Sequence, residues 1–108
     1  MSASNVKVLH PSGILTAKAS QSLLEEFRAL LEIGVRVVLV ELQDVNFIDS
    51  SGLGILVSMA AKLRSQGGNI CICSPNDQVR CLFDITDMSR IIPVFNNQDE
   101  FYAAANQN

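Results

Sequence analysis

Apolar and polar residues alternate over Val6–His10, and an extended pattern resumes at Ile14–Thr16. Pro11-Ser12-Gly13 stands between them as a turn signal, so the pattern predicts a β-hairpin near the start of the chain. The period then lengthens. Leu23, Leu24, Phe27, Leu30 and Leu31 recur at helical spacing with Glu25, Glu26 and Arg28 on the other side, which predicts an amphipathic helix over Ala17–Ile33, ended by Gly34. Either Thr16 caps this helix, or Ser22 with Glu25 forms a capping box a turn or so later.

Val35–Leu42 is nearly continuous in apolar and β-branched residues, as expected of a central strand covered on both faces. A turn at Gln43 and Asp44 leads to Val45–Ile48, then to Asp49-Ser50-Ser51-Gly52. Leu53, Leu56, Met59, Ala60 and Leu63 make a second helical stripe that stops at Gly67-Gly68. Asn69–Ser74 reads as a strand, and Pro75 suits the first turn of a helix reaching Phe83 or Ile85. Ile91–Phe95 reads as an edge strand, because Pro93 cannot donate to a ladder, and residues 97–106 as a terminal helix. Strands alternating with helices after an initial hairpin predict an α/β fold, a mixed β-sheet flanked by about four α-helices. It forms one domain over residues 6–104, with short tails at 1–5 and 105–108.

Composition narrows the function classes. The chain has 108 residues, 48% hydrophobic and 18% charged, a globular balance far from that of disordered chains. Net charge is −3 and the eight Lys and Arg residues form no block, so the basic footprint of a nucleic-acid binder is missing. No apolar run approaches the roughly 18–20 residues that cross a bilayer, and the N-terminus lacks the plan of a signal peptide. These features predict a cytoplasmic protein with neither nucleic acid nor membrane as partner. Cys71, Cys73 and Cys81 lack CxxC spacing, which argues against a disulfide framework or a zinc site and for reduced thiols packed as small hydrophobes.

Catalytic patterns are equally sparse. A nucleophilic serine needs a base and an orienting acid, and the one histidine, His10, stands at an apparent turn beside Pro11. Asp-Ser-Ser-Gly is not the Gly-x-Ser-x-Gly elbow of serine hydrolases. Gly52 and Gly54 lack the remaining glycine of a dinucleotide fingerprint, and no carboxylate spacing marks a metal loop. The expectation is therefore a protein without enzyme activity, catalytic residues, metal or cofactor.

What stands out is Asp49-Ser50-Ser51-Gly52. Asp and Ser are preferred N-caps, so plain capping accounts for part of it, yet three candidates stand where one cap is needed. A serine at a helix start, if phosphorylated, places its charge where the helix dipole and free N–H groups tolerate it. Taking Leu53, Leu56, Ala60 and Leu63 as the core stripe leaves Ile55, Ser58, Lys62 and Gln66 on the opposite face. Ile55 is then expected to be exposed, within a docking face near the serines.

The run "VVLVELQDVNFIDSSGLGILVSMAAKLRSQGGNICIC", with "GILT" before it and "VRCLFDITDMSRIIPVF" after it, resembles the STAS domain family, specifically the anti-sigma factor antagonists. The resemblance covers about Val6 to Ala104, and DSSGLG in a strand-to-helix context is its most specific part. It implies a partner switch. The unphosphorylated protein would bind an anti-sigma factor that is also a serine kinase with an ATP-binding fold, releasing its sigma factor. Phosphorylation at Ser50 would block binding, and a serine phosphatase would restore it. By position, Asp49, Ser51 and Gly52 would complete the motif, with Ile55, Ser58 and Lys62 on the partner-binding face. Glu41 stands where many relatives carry Asp, and Thr16 where several carry an acidic residue. The alternative within the family is an adaptor subunit of a signalling scaffold or a lipid-transport complex.

Overall fold

The computed structural model describes residues 5–105. In chain order the elements are β1 Val6–Leu9, β2 Gly13–Leu15, α1 Ala17–Glu32, β3 Val37–Glu41, β4 Val45–Ile48 and α2 Ser50–Ser65. They continue with β5 Asn69–Cys73, α3 Asp77–Ile85, α4 Met88–Ile91, β6 Val94–Phe95 and α5 Gln98–Ala105. The α/β architecture is the one the sequence predicts, with the second half of the chain contributing the short helix α4 as well as α3 and α5.

Four strands form one sheet in the order β1-β3-β5-β6, and β2 and β4 form a separate pair. All these pairings are parallel. The predicted opening hairpin is therefore not formed. Val6–Leu9 runs beside Val37–Val40, whereas Ile14 and Leu15 run beside Phe47 and Ile48. The reason lies in two breaks that meet. Gly13, at φ +78°, donates its N–H to the Asp44 carbonyl at 2.8 Å, and His10 Nε2 stands 3.1 Å from Asp44 Oδ2. The Pro-Ser-Gly bend thus lies against the Gln43-Asp44 bend, and both chains step from the larger sheet to the smaller one together. Alternation along a strand says which face is buried but not which strand is the neighbour.

The larger sheet packs on both faces, which explains the continuous apolar run of β3. Val38 and Val40 join Ile70 and Ile72 in the main core with Phe27, Leu31, Leu56 and Leu63 of α1 and α2. Leu39 and Cys73 face the other way, onto Phe101 and Ala105 of α5. Cys71 packs against this second cluster, so the two strand cysteines share a face, and burial raises both thiols, Cys73 to about 12. Cys81 is exposed on α3.

Of the two starts open for α1 the first is found, and two other boundaries differ from the sequence expectation. Thr16 occupies the cap position of α1 without a side-chain bond, and the Ser22–Glu25 box is not used because the helix already begins at Ala17. Pro75 precedes the α3 cap: Asn76 holds that position, accepts the Val79 N–H at 2.8 Å, and donates to the Val45 and Asn46 carbonyls. The strand predicted over Ile91–Phe95 shrinks to Val94–Phe95, because Asp87 in the left-handed region starts α4 just before it. Its edge position is as expected, and the Pro93 carbonyl accepts from Ile72. The predicted tails fall mostly at 1–4 and 106–108, outside the described residues.

Candidate functional site

β4 delivers the chain to the start of α2. Ile48, at its end, is buried, and Asp49 follows in extended conformation as the helix cap. Asp49 Oδ1 accepts the Gly52 N–H at 3.0 Å, and the Asp49 carbonyl accepts the Leu53 N–H at 3.0 Å as the first helical bond. Of the three cap candidates, then, the aspartate alone caps. Ser50 and Ser51 occupy the first two helical positions, exposed, and neither hydroxyl makes a hydrogen bond among the described residues.

Gly52 fixes this geometry by close approach. A Cβ there would stand 2.4 Å from the Leu15 carbonyl oxygen and 2.8 Å from Ile48 Cγ2, so the helix start sits hard against β2 and β4 only because residue 52 has no side chain. The backbone of β2 also supports the cap, with the Asp49 N–H directed at the Leu15 carbonyl at 3.4 Å. The turn is thus held rigidly from below while its two hydroxyls face solvent.

The rest of the predicted face divides. Ile55 is not exposed: it is half-buried against the main core. The buried stripe of α2 is Gly52, Leu56, Met59, Ala60 and Leu63, centred between Leu56 and Met59. Ile55 borders that stripe, and Leu53 lies on its other border rather than at its middle. Ser58 and Lys62 are exposed, in a recess shared with Leu24 and Arg28 of α1. At 1.5 Å per residue they lie about 12 and 18 Å along the helix from Ser50, away from the serine turn. His10 pairs with Asp44 at the bend.

Two features were not legible in advance. One is a polar cluster around Glu41, a residue that is 2% exposed. Its oxygens accept the Gln43 N–H at 2.8 Å, the Gln98 amide at 3.0 Å, and the Cys73 thiol and Ser74 hydroxyl at 3.2 Å each. Burial pushes the carboxyl pKa up, but the bonds from Gln98, Cys73, Gln43 and Ser74 outweigh it and leave the group below its ordinary value. The other is Phe47, 49% exposed although it stands in a strand between core residues. The burial along Val45–Ile48 runs in, out, out, in, so strict alternation would not have revealed it; the polar Asn46 before it is the one sequence cue.

Taken together, the fold and the turn define a small parallel α/β domain that presents two uncommitted serine hydroxyls at a braced helix start. A profile of the STAS domain family matches residues 2–101, and the chain belongs to that family. The anti-sigma-B factor antagonist of Listeria monocytogenes is 33% identical over 85 residues, 79% of this chain and 72% of that protein. The crystal structure of TM1081 from Thermotoga maritima superposes with a TM-score of 0.86 at 27% identity, covering 93% of this chain and 86% of that one. The unphosphorylated form of the anti-sigma factor antagonist SpoIIAA shares the fold, with a TM-score of 0.73 at 18% identity, covering 100% of this chain and 96% of that one. Across the curated relatives the aligned region takes in 49–79% of the relative's own length.

Proposed function

We propose that this chain, as a single STAS domain over residues 6–104, is an anti-sigma factor antagonist with Ser50 as its switch. The unphosphorylated form binds an anti-sigma factor that is also a serine kinase with an ATP-binding fold, and so releases a sigma factor. The kinase modifies Ser50, the product no longer binds, and a serine phosphatase reverses the step. All of this takes place in the cytoplasm, and the chain itself performs no catalysis.

The observation that carries this reading is the division of labour in the turn. Because Asp49 supplies the cap, the Ser50 hydroxyl is not needed by the fold and stands exposed at the first helical position. A phosphate there adds a charge of roughly −1.5 to −2 beside a helix N-terminus that accommodates it. The fold persists while the surface changes. Against a partner, that charge must be desolvated, which is enough to abolish docking. The names of the relatives point to the same class of partner. Asp49, Ser51 and Gly52 shape the turn, and Ser58 and Lys62, with Ile55 beside them, extend the contact along α2.

The test is binding of Ser50→Asp and Ser50→Ala variants to an anti-sigma factor kinase from the same cells. Ser50→Ala is expected to bind like the parent, and Ser50→Asp to lose at least about tenfold in affinity. Equal affinities would remove Ser50 from the switch.

A further inference from the structure

The cations of this chain are few and unevenly placed. Of the eight Lys and Arg residues, three, Arg28, Arg36 and Lys62, meet in one trough between α1 and α2, on a chain whose net charge is −3. Two adjoining recesses of about 330 and 380 Å³ form the trough, and Arg28 and Lys62 line both. Leu24, Phe27 and Ser58 complete the first, and Leu31, Glu32, Arg36 and Gln66 the second. At 1.5 Å per residue, the stretches from Leu24 to Glu32 and from Ser58 to Gln66 are each about 12 Å long.

The fold uses these charges unequally. The Arg36 guanidinium donates to the Leu31 carbonyl at 3.2 Å and the Val35 carbonyl at 2.7 Å, and is held there at the C-terminal end of α1. Lys62 stands in the last turn of α2, where a cation suits the helix dipole, yet its ammonium has no ion-pair partner among the described residues. Arg28, a turn before the end of α1, has none either. Helix α2 carries no carboxylate, Glu32 is the one that lines the trough, and Glu26 faces the opposite flank of α1 beside His10. Unpaired cations contributed to one recess by two helices repel each other, which gains the isolated domain nothing.

We propose that the α1–α2 trough is the docking site of an acidic segment of a partner protein, one that presents Asp or Glu to Arg28 and Lys62 and an apolar side chain to Leu24. Charge complementarity selects this occupant. A carboxylate seated between Arg28 and Lys62 meets one cation from each helix, and Leu24 and Phe27 beside them accept apolar contact. Arg36, fixed by its two carbonyl bonds and with donors to spare, offers a second carboxylate its place at the far end. The inference rests on the reading of Ser58 and Lys62 as part of the partner-binding face, and adds the chemistry of what lies against it. The trough begins about 12 Å along α2 from Ser50, beyond the Debye length of about 8 Å at physiological ionic strength.

The test is titration of the isotopically labelled full chain, followed by amide chemical shifts, with designed peptides of about 12 residues, long enough to span the trough. One peptide combines Glu with Leu, the second has Gln for every Glu, and the third Lys for every Glu; inorganic phosphate is the fourth probe. The Glu peptide is expected to shift the amides of Leu24, Arg28, Ser58, Lys62 and Gln66, and to bind more weakly as salt is raised. Arg28→Glu with Lys62→Glu is expected to weaken it at least about tenfold, Arg28→Gln with Lys62→Gln severalfold, and Ser50→Asp by less than about twofold. Shifts centred elsewhere, equal binding of the Gln or Lys peptide, insensitivity to Arg28→Gln with Lys62→Gln, or no shift at millimolar peptide would each overturn the proposal. So would a loss in Ser50→Asp as large as in the charge-reversed variant, or inorganic phosphate shifting the same amides at equal concentration, which would make the trough a recess for small anions. None of these outcomes decides whether Ser50 is the switch, which the affinities of Ser50→Asp and Ser50→Ala for the kinase decide separately.

Discussion

Two polar clusters stand at the C-terminal ends of consecutive strands, and they are wired in opposite ways. At the end of β3, the Glu41 carboxylate is buried and accepts from four groups on β5, α5 and the adjoining turns. At the end of β4, Asp49 caps α2 through one bond, and the two serines after it remain exposed and unengaged. The first cluster is engaged at both carboxylate oxygens and joins the sheet to α5. The second spends one residue on structure and leaves two free. Polar residues at a strand end therefore do not mark a site by themselves. What distinguishes one is hydrogen-bonding capacity that the fold does not consume.

The sharpest way to break the comparison is to disturb what braces the serine turn. Gly52→Ala forces a methyl into the Leu15 carbonyl, which is backbone and cannot rotate away. We expect a loss of about 2–3 kcal/mol in urea unfolding, with the start of α2 displaced. A change below about 0.5 kcal/mol would show that the close approach is not structural.

The locked cluster responds next. Glu41→Ala leaves the Gln43 N–H, the Ser74 hydroxyl and the Gln98 amide without their acceptor, and should cost about 1–3 kcal/mol. Because the folded-state pKa of Glu41 lies below its ordinary 4.5, the unfolded chain binds the proton more readily. The stabilisation is present above about pH 4.5 and is lost as the pH falls through the folded-state value. Glu41→Gln should flatten the acid limb of the stability curve, and an unchanged limb would place the acid sensitivity elsewhere.

The smallest effects belong to the serine turn. Asp49→Ala removes the cap and should cost about 0.5–2 kcal/mol, whereas Ser50→Ala and Ser51→Ala should each stay within about 0.5 kcal/mol. Matching losses at all three positions in thermal unfolding would mean that the serines also serve the helix start.

Periodicity along the chain made α1, β3, α2 and β5 visible, because each presents a long or strongly patterned apolar set to the core. It also singled out Asp49–Gly52, where the number of polar side chains exceeds what a cap requires. What it missed are arrangements between distant segments. Whether Val6–Leu9 pairs with Ile14 or with β3 depends on the meeting of two bends, Gly13 with Asp44, forty-four residues into the chain. A stripe through Leu53 and Leu56 puts Ile55 in solvent, and in sequence it looks much like the observed stripe centred between Leu56 and Met59. The Glu41 cluster and the basic trough between α1 and α2 each join elements far apart in sequence, and no local pattern announces them.

The central claim is that the fold leaves Ser50 free so that it can be modified. The most direct test is the intact mass of the protein isolated from its native cells, with fragment mapping, before and after treatment with a serine phosphatase. The account predicts a form carrying a single phosphate, mapped to Ser50 and removed by the phosphatase. Absence of phosphate across growth and stress conditions, or phosphate confined to another residue, would contradict it.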